Sequence, residues 1–439
     1  MSLSPSPPRL RPALVLAHRW AGLVMVGFLI VAGVTGSVLA WNHELEAAVS
    51  PQLFRAHPTD VNAQPLDPLT LRERVAARYP NASIAYVPLQ IEPGHSIWMF
   101  LEARTDPSTG KVAELPADQV FVNPYTGAVI GERKWGDITQ GLKNLLPFIY
   151  RLHYSLALGT VGTLLLGIVA LLWTLDCFVG AYLTLPRRAR TEPANAQQSQ
   201  ARTWLTRWWP SWKLRWRGGS YKVNFDLHRA GGLWVWAMLF VLAWSSVAFN
   251  LSQVYRPVMA TAFEFAPSAD LPVRNLPQAA PRLSWMQARD QGRRLMTDQA
   301  RAQNFTVINE TGLSYDATHA VYRYSVKSDR DIRDAGGGTS VVFDADTGEL
   351  QQTVLPTGMA AGDTVTRWLK SLHMAALWGV PFKIFMSAVG LLVAMLGVTG
   401  TVIWLRKRQA QAKTLASYRA REAAAASKAQ AEGGAIPTG

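Results

Sequence analysis

The chain has 439 residues, of which 49% are apolar and 17% charged, with a formal net charge of +14. It is too apolar for an ordinary soluble enzyme and too charged for a pure transporter bundle, which leaves membrane helices carrying sizeable soluble segments. The single cysteine, Cys177, excludes an intrachain disulfide, so cysteine usage says nothing about compartment.

Residues 1–14, with the run SPSPP, read as a disordered tail. Residues 15–41 form a first transmembrane helix, because about 20 mostly apolar residues cross a bilayer; His18 and Arg19 stand at its mouth. Arg9, Arg11 and Val38-Leu39-Ala40 also suit a cleaved signal peptide. The apolar run is longer than a signal core, however, and it matches a later stretch that cannot be one. Residues 42–148 are polar. LTLRERVAARYP has helical spacing, YVPLQ and SIWMFLEAR read as strands, and QVFVNPYTGAVIGER reads as a hairpin turning at Gly127. His43 reads as an alternate ligand or substrate contact, or as a surface residue; His57, His95 and His319 read as surface residues.

A second transmembrane helix covers 149–185 and carries Arg151, His153, Asp176 and Cys177. Asp176 suits proton passage or a quinol contact, and equally a helix-end acid. Residues 186–226 form a basic loop rich in tryptophan, in which Trp204, Trp208, Trp209, Trp212 and Trp216 interleave with Arg207, Lys213, Arg215 and Arg217. That mixture suits an anchor in the headgroup layer, with docking of an electron donor as the alternative. The third helix, 227–254, opens on His228-Arg229. Residues 255–370 repeat the polar pattern: SWMQARDQGRRLM is helical, AVYRYSVKS a strand, and SVVFDADTGELQQT a hairpin at Gly348. The fourth helix, 371–405, carries His373, and 406–439 form a second tail read as disordered.

The charges set a direction. Pro186–Lys222 holds nine bases and one acid, and the tail after Leu405 holds seven bases and two acids, whereas 41–149 holds nine bases and twelve acids. Positive flanks stay in the cytoplasm. Both termini and the central loop are therefore expected on that side, and the two polar segments on the other. The bases flank apolar spans instead of forming one patch, so no nucleic-acid partner is expected.

The chain also repeats itself. His18-Arg19, Gly22-Leu23 and Thr35-Gly36 match His228-Arg229, Gly232-Leu233 and Ser245-Ser246 at an offset of 210. Leu152-His153, Gly159, Gly180 and Leu185 match Leu372-His373, Gly379, Gly400 and Leu405 at an offset of 220. Each half thus has two helices with one histidine apiece. Ionisable groups in a membrane need partners, and imidazole is an axial ligand of haem iron. The expected topology pairs His18 with His228 and His153 with His373, giving two bis-histidine b-type haem sites suited to electron transfer, since no CxxCH motif is present. Gly33, Gly36, Gly167, Gly180, Gly390, Gly397 and Gly400 would let helices close around a flat ring. Arg19, Arg229, Arg151 and Lys370 are candidate partners for propionates, with snorkelling as the alternative for Arg19 and Arg229. No G-x-G-x-x-G, P-loop or zinc cluster is evident, so no flavin or nicotinamide site is expected and electrons must come from membrane quinol or a cytoplasmic reductase.

The opening LAHRWAGLVMVGFLIVAGVTGSVLAWNHELEAAVSP, the VNPYTGAV and FDADTGEL hairpins and the LHYSLALG and LHMAALWG segments resemble the PepSY-associated transmembrane family. Within it the chain is similar to inner-membrane ferric-siderophore reductases of bacteria. The resemblance covers nearly everything from Leu16 to Arg408. It implies a four-helix transmembrane bundle built from two tandem two-helix repeats, with α+β PepSY-like periplasmic modules and two b-type haems on His18, His153, His228 and His373. It also implies a periplasmic ferric siderophore as electron acceptor, with its cleft where the modules meet above His153 and His373. Two other readings stay open: a haem-free PepSY-type binding or regulatory protein, and a dihaem carrier to another periplasmic acceptor.

Overall fold

The computed structural model describes residues 10–58, 60, 62–105, 111–186, 203–267, 270–274 and 276–433. Arg187, Arg188, Arg190, Glu192 and Arg202 of the basic loop, and the SPSPP run, lie outside the described residues. In chain order the elements begin with α1 (Leu10–Leu39), α2 (Asn42–Val49), α3 (Pro51–Phe54) and α4 (Pro68–Arg78). Six strands follow: β1 (Ala82–Ser83), β2 (Tyr86–Pro88), β3 (Ile97–Phe100), β4 (Glu102–Ala103), β5 (Gln119–Val122) and β6 (Val129–Arg133). Next come α5 (Leu145–Ser155), α6 (Gly159–Thr184), α7 (Trp204–Trp208), α8 (Ser220–Trp234), α9 (Trp236–Asn250), α10 (Ser252–Ala260) and α11 (Trp285–Gln303). The chain closes with β7 (Val307–Asp316), β8 (Val321–Ser328), β9 (Thr339–Asp344), β10 (Leu350–Val354), α12 (Ala361–His373) and α13 (Gly379–Gly433).

Among the described residues three helices, Leu10–Leu39, Gly159–Thr184 and Gly379–Ser427, are long and apolar enough to cross a membrane. The pair α8–α9, bent by 70°, makes a fourth if taken as one broken span. The bend falls at Val235, whose φ of −117° and ψ of 18° leave the helical region.

The expected second and fourth helices are each interrupted. α5 stops two residues after His153, and α12 stops at His373 itself. Leu156, Ala157, Ala375 and Trp378 all take positive φ in these turns, a conformation that costs a side-chain-bearing residue roughly 1–2 kcal/mol. Gly159 and Gly379 restart the helices at φ of 60° and 59°, which explains why glycine stands at both repeat positions. The tail expected to be disordered is instead helical to Gly433, because its alanine-rich run has high helix propensity.

The described residues form two compact units. One gathers those of Met1–Gly33, Leu171–Phe240 and Leu391–Gly439; the other gathers Val34–Ala170 and Val241–Gly390. In the second unit the two polar segments were expected as separate modules, and the structure merges them. A five-stranded sheet runs β10-β9-β8-β7-β2, so a strand of the first segment completes the sheet of the second. Its antiparallel register pairs Tyr86 with Ser314, Val87 with Leu313 and Pro88 with Gly312. The other three main strands form a sheet β3-β5-β6. One core spans both segments: Leu69, Leu71, Val75 and Val87 pack in the same cluster as Leu313, Tyr322, Tyr324 and Phe343. Polar side chains also join the segments. Arg289 reaches Asp67, the cap of α4, at 2.6 Å and Glu310 at 2.6 Å. Both expected hairpins form, β5–β6 and β9–β10, each with its glycine at φ of 76°.

Candidate functional site

Each unit contains one pair of the repeat-related histidines. In the first, His18 of α1 and His228 of α8 lie with ring centres 6.1 Å apart and ring planes inclined by 58°. His18 Nδ1 meets both carboxylate oxygens of Asp176, at 2.9 and 3.0 Å. His228 Nδ1 lies 3.1 Å from the carbonyl oxygen of Leu396 and 3.2 Å from Thr399 Oγ1. Two glycines back the rings. A Cβ on Gly180 would stand 3.5 Å from His18 Cε1, and one on Gly400 would stand 3.1 Å from His228 Cε1.

The second unit repeats the arrangement with His153 at the end of α5 and His373 at the end of α12. Their ring centres are 6.2 Å apart and the planes inclined by 74°. Thr35 Oγ1 is 2.9 Å from His153 Nδ1, and Ser245 Oγ is 2.7 Å from His373 Nδ1. A Cβ on Gly36 would stand 3.1 Å from His153 Cε1. Phe249 closes against His373 with ring centres 5.5 Å apart.

The partners determine which ring nitrogen carries the proton. A carbonyl oxygen only accepts, so His228 donates through Nδ1. The carboxylate oxygens of Asp176 likewise accept from His18. Ser245 spends its single proton on the Val241 carbonyl at 2.6 Å, so it accepts from His373. In three of the four rings Nδ1 is therefore the donor, which leaves Nε2 as the nitrogen that can meet a metal. Two imidazoles that share one iron, each nitrogen about 2 Å from the metal, have ring centres about 6 Å apart. Both pairs fit that spacing. The chemistry such a group supplies is a one-electron couple with no open coordination position.

The duplication thus extends to the partners. Thr35 and Ser245 are repeat equivalents, as are Gly180 and Gly400, and each member serves the corresponding histidine. Sequence reasoning matched these residues without assigning them a partner. Asp176 breaks the symmetry: its equivalent is Leu396, which offers a backbone carbonyl instead of a carboxylate.

The expected cationic partners are placed variously. Arg229 Nη2 donates to Pro210 O and Asp226 Oδ1, both at 2.9 Å, while its Nε is buried with no hydrogen-bond partner among the described residues, a donor that an anionic substituent would satisfy. Arg151 donates to Gly136 O at 3.1 Å and lines an open cavity of about 420 Å³ with Lys134, Trp135 and Phe148. Arg19 is half-buried. Lys370 stands 4.9 Å from the ring of Phe249. In the tryptophan-rich segment Arg215 binds the buried Asp226 at 2.7 and 2.9 Å, and Trp208 Nε1 donates to Thr184 Oγ1, which ties the loop to α8 and the end of α6. Trp204, Trp209 and Trp216 stay exposed. His43 joins neither pair. It faces Glu92 and His95, a grouping the sequence did not reveal.

Apolar helices long enough to span a bilayer, joined to an α/β body built from two similar segments, define a membrane protein with an internal repeat. The chain belongs to the family described as the PepSY-associated TM region, which it matches over residues 15–407. No curated protein matches it.

Proposed function

We propose that the protein is a dihaem b-type electron-transfer protein of the bacterial inner membrane that reduces ferric siderophores in the periplasm, Fe(III) to Fe(II), so that the chelator releases its iron. The observation that carries this reading is the spacing of the two histidine pairs, 6.1 and 6.2 Å between ring centres. Packing alone gives no reason for four imidazoles to meet in twos with Nδ1 held each time. His18 and His228 would hold one haem, and His153 and His373 the other. Asp176, Thr35, Ser245 and the Leu396 carbonyl orient the rings and keep Nε2 available. Arg229 offers a buried N–H to a propionate in the first unit, and Arg151 a guanidinium in the second; Arg19 adds a third positive charge. The positive flanks of the spans support a cytoplasmic-side location for His18 and His228, where quinol or a cytoplasmic reductase would deliver electrons. The cavity beside Arg151, two residues from His153, is the candidate cleft for the ferric chelate.

The test is spectroscopic. Protein purified from haem-replete cells shows a Soret band and split reduced α-bands, and adding a ferric hydroxamate chelate to the reduced protein restores the oxidised spectrum. Alanine at His18 or His228 removes one component, and alanine at His153 or His373 the other. Colourless protein would favour a haem-free binding or regulatory role. Haem-loaded protein that ferric chelates leave reduced would favour a carrier to a different acceptor.

A further inference from the structure

We infer that His43, Glu92 and His95 form a binding site for a divalent first-row transition-metal ion, a site that plays no part in the electron-transfer function proposed above. The three side chains come from two separate places in the second unit. His43 lies in the first turn of α2, and Glu92 and His95 lie in the loop between β2 and β3. One Glu92 oxygen is 3.6 Å from His43 Nε2 and 3.8 Å from His95 Nδ1. All three ligand atoms lie within 4.8 Å of one another, and the two rings face each other with centres 5.9 Å apart. Ligand atoms that share a metal at about 2.0–2.2 Å stand roughly 3–3.5 Å apart. The two edges at Glu92 therefore need to close by only a few tenths of an ångström.

The framework is fixed even though the ligands are exposed. In the loop, Gly94 takes a φ of 77° and turns the chain so that His95 comes back over Glu92, with His95 N–H bonded to Glu92 O at 3.1 Å. Ala56 N–H to Gly94 O and Ser96 N–H to Phe54 O, both 3.0 Å, pin the loop to the residues around α3. The helix that presents His43 is held by Glu46, which is paired at 2.8 Å with the buried Arg133, and by Glu44, paired at 2.6 Å with Lys383. Among the described residues the ion pairs of Glu92 are with these two histidines alone, so no lysine or arginine neutralises its charge.

The donor set selects the ion. Two imidazoles with one carboxylate suit Fe(II), Zn(II) and their neighbours, whereas magnesium and calcium prefer oxygen donors throughout. Three protein ligands leave the remaining positions to water. The side chains are 62%, 57% and 36% exposed, so the ion exchanges with solvent instead of supporting the fold. A ferrous ion leaving a reduced chelate belongs to the class this site takes. Among the described residues, the hydrogen bond that the ligands give up is the 3.3 Å contact of His95 Nδ1 with Pro93 O.

Full-length protein from haem-replete cells, with any affinity tag removed, is brought to equilibrium with Co(II) by dialysis, the bound cobalt being counted by elemental analysis, and then with Zn(II) in competition. Wild type takes up one equivalent. His43→Ala and His95→Ala weaken the affinity by more than about a hundredfold, more than losing a residue behind a ligand costs, and Glu92→Gln, which preserves shape, weakens it as well. His319→Ala, whose ring pairs with Asp316, leaves binding unchanged. Equal uptake by wild type and the His43→Ala/His95→Ala double variant overturns the proposal, as does wild type that takes up no cobalt. Thermal melting of each variant checks the fold. Metal uptake is read without reference to haem, so colourless protein that binds Co(II) would refute the dihaem reading and leave this one standing.

Discussion

Asp176 meets the His18 imidazole through a carboxylate, whereas the hydrogen bonds described above for His228, His153 and His373 go to carbonyl and hydroxyl oxygens. A carboxylate that accepts the Nδ1 proton makes the ring a stronger electron donor, which favours the oxidised metal. If the two pairs hold haem as proposed, Asp176→Asn raises one of the two midpoint potentials and leaves the other where it was; potentiometry on the reduced-minus-oxidised spectrum checks this, and two unmoved potentials would contradict it. Thr35→Val and Ser245→Ala each leave a ring without its orienting oxygen. Roughly tenfold or more weaker haem retention in the second unit is expected, read as haem per polypeptide after gel filtration. At this scale the pairing of the histidines was legible, because a fixed offset repeats and the alternating direction of four spans puts equivalent residues on one side. The role of Asp176 was not legible, since its partner lies 158 residues away in another helix. Nor was the His43–Glu92–His95 grouping, whose members share no ligand-spacing motif across 52 residues.

Among the elements, β2 and β7 carry the join between the two polar segments. Val87 and Leu313 face each other across that pair and are both fully buried. Leu313→Ala costs about 2–5 kcal/mol, seen as a lower thermal midpoint of the α/β body. Beside it, Glu310 accepts from Arg293, Arg289 and Tyr324. Burial alone would raise its carboxyl, but those donors outweigh it and hold it at about 2. Its folded-state value lies below the unfolded value of about 4.3. The stabilisation is therefore complete above that value and is lost as pH falls towards about 2. Glu310→Gln is expected to be less stable than wild type at neutral pH and to lose less between about pH 5 and pH 2; melting curves across that range test it. The hairpins were readable because alternating apolar residues flank an Asn/Asp-x-x-Thr-Gly turn. The strand in YVPLQ was readable too, but its crossing to β7 was not, since three residues, one of them Pro88, name no partner. The breaks after His153 and His373 were hidden for another reason: an apolar run looks continuous when leucine, alanine and tryptophan supply the left-handed turns.

For the whole molecule, the asymmetry of basic residues makes a claim about sidedness that no internal contact can test. With the buried Cys177 changed to serine, Asp298→Cys in α11 reacts with a membrane-impermeant maleimide in spheroplasts, whereas Ala416→Cys in the terminal helix reacts only after lysis. Labelling of the second in intact spheroplasts would reverse the proposed direction of electron flow. The overall plan of four apolar stretches and two polar segments was legible because length and hydropathy suffice for it. The fusion of those segments into one core was not, because the pattern of a strand records which face is buried and says nothing about whose sheet it enters.

Each histidine pair draws one ring from either half of the duplicated chain. A lone half would own a single ligand for each site and could complete neither except by meeting its twin. The arrangement is what an ancestral homodimer would leave behind once its gene doubled and fused. Fusion guarantees one partner per partner and lets the copies drift apart, and position 176 against position 396 is where that drift has given one ring of the first pair a carboxylate while the other ring meets a backbone carbonyl. Expressing the two halves as separate polypeptides in the same cell should therefore rebuild both sites, while either half alone rebuilds none with its present, diverged ligand shell.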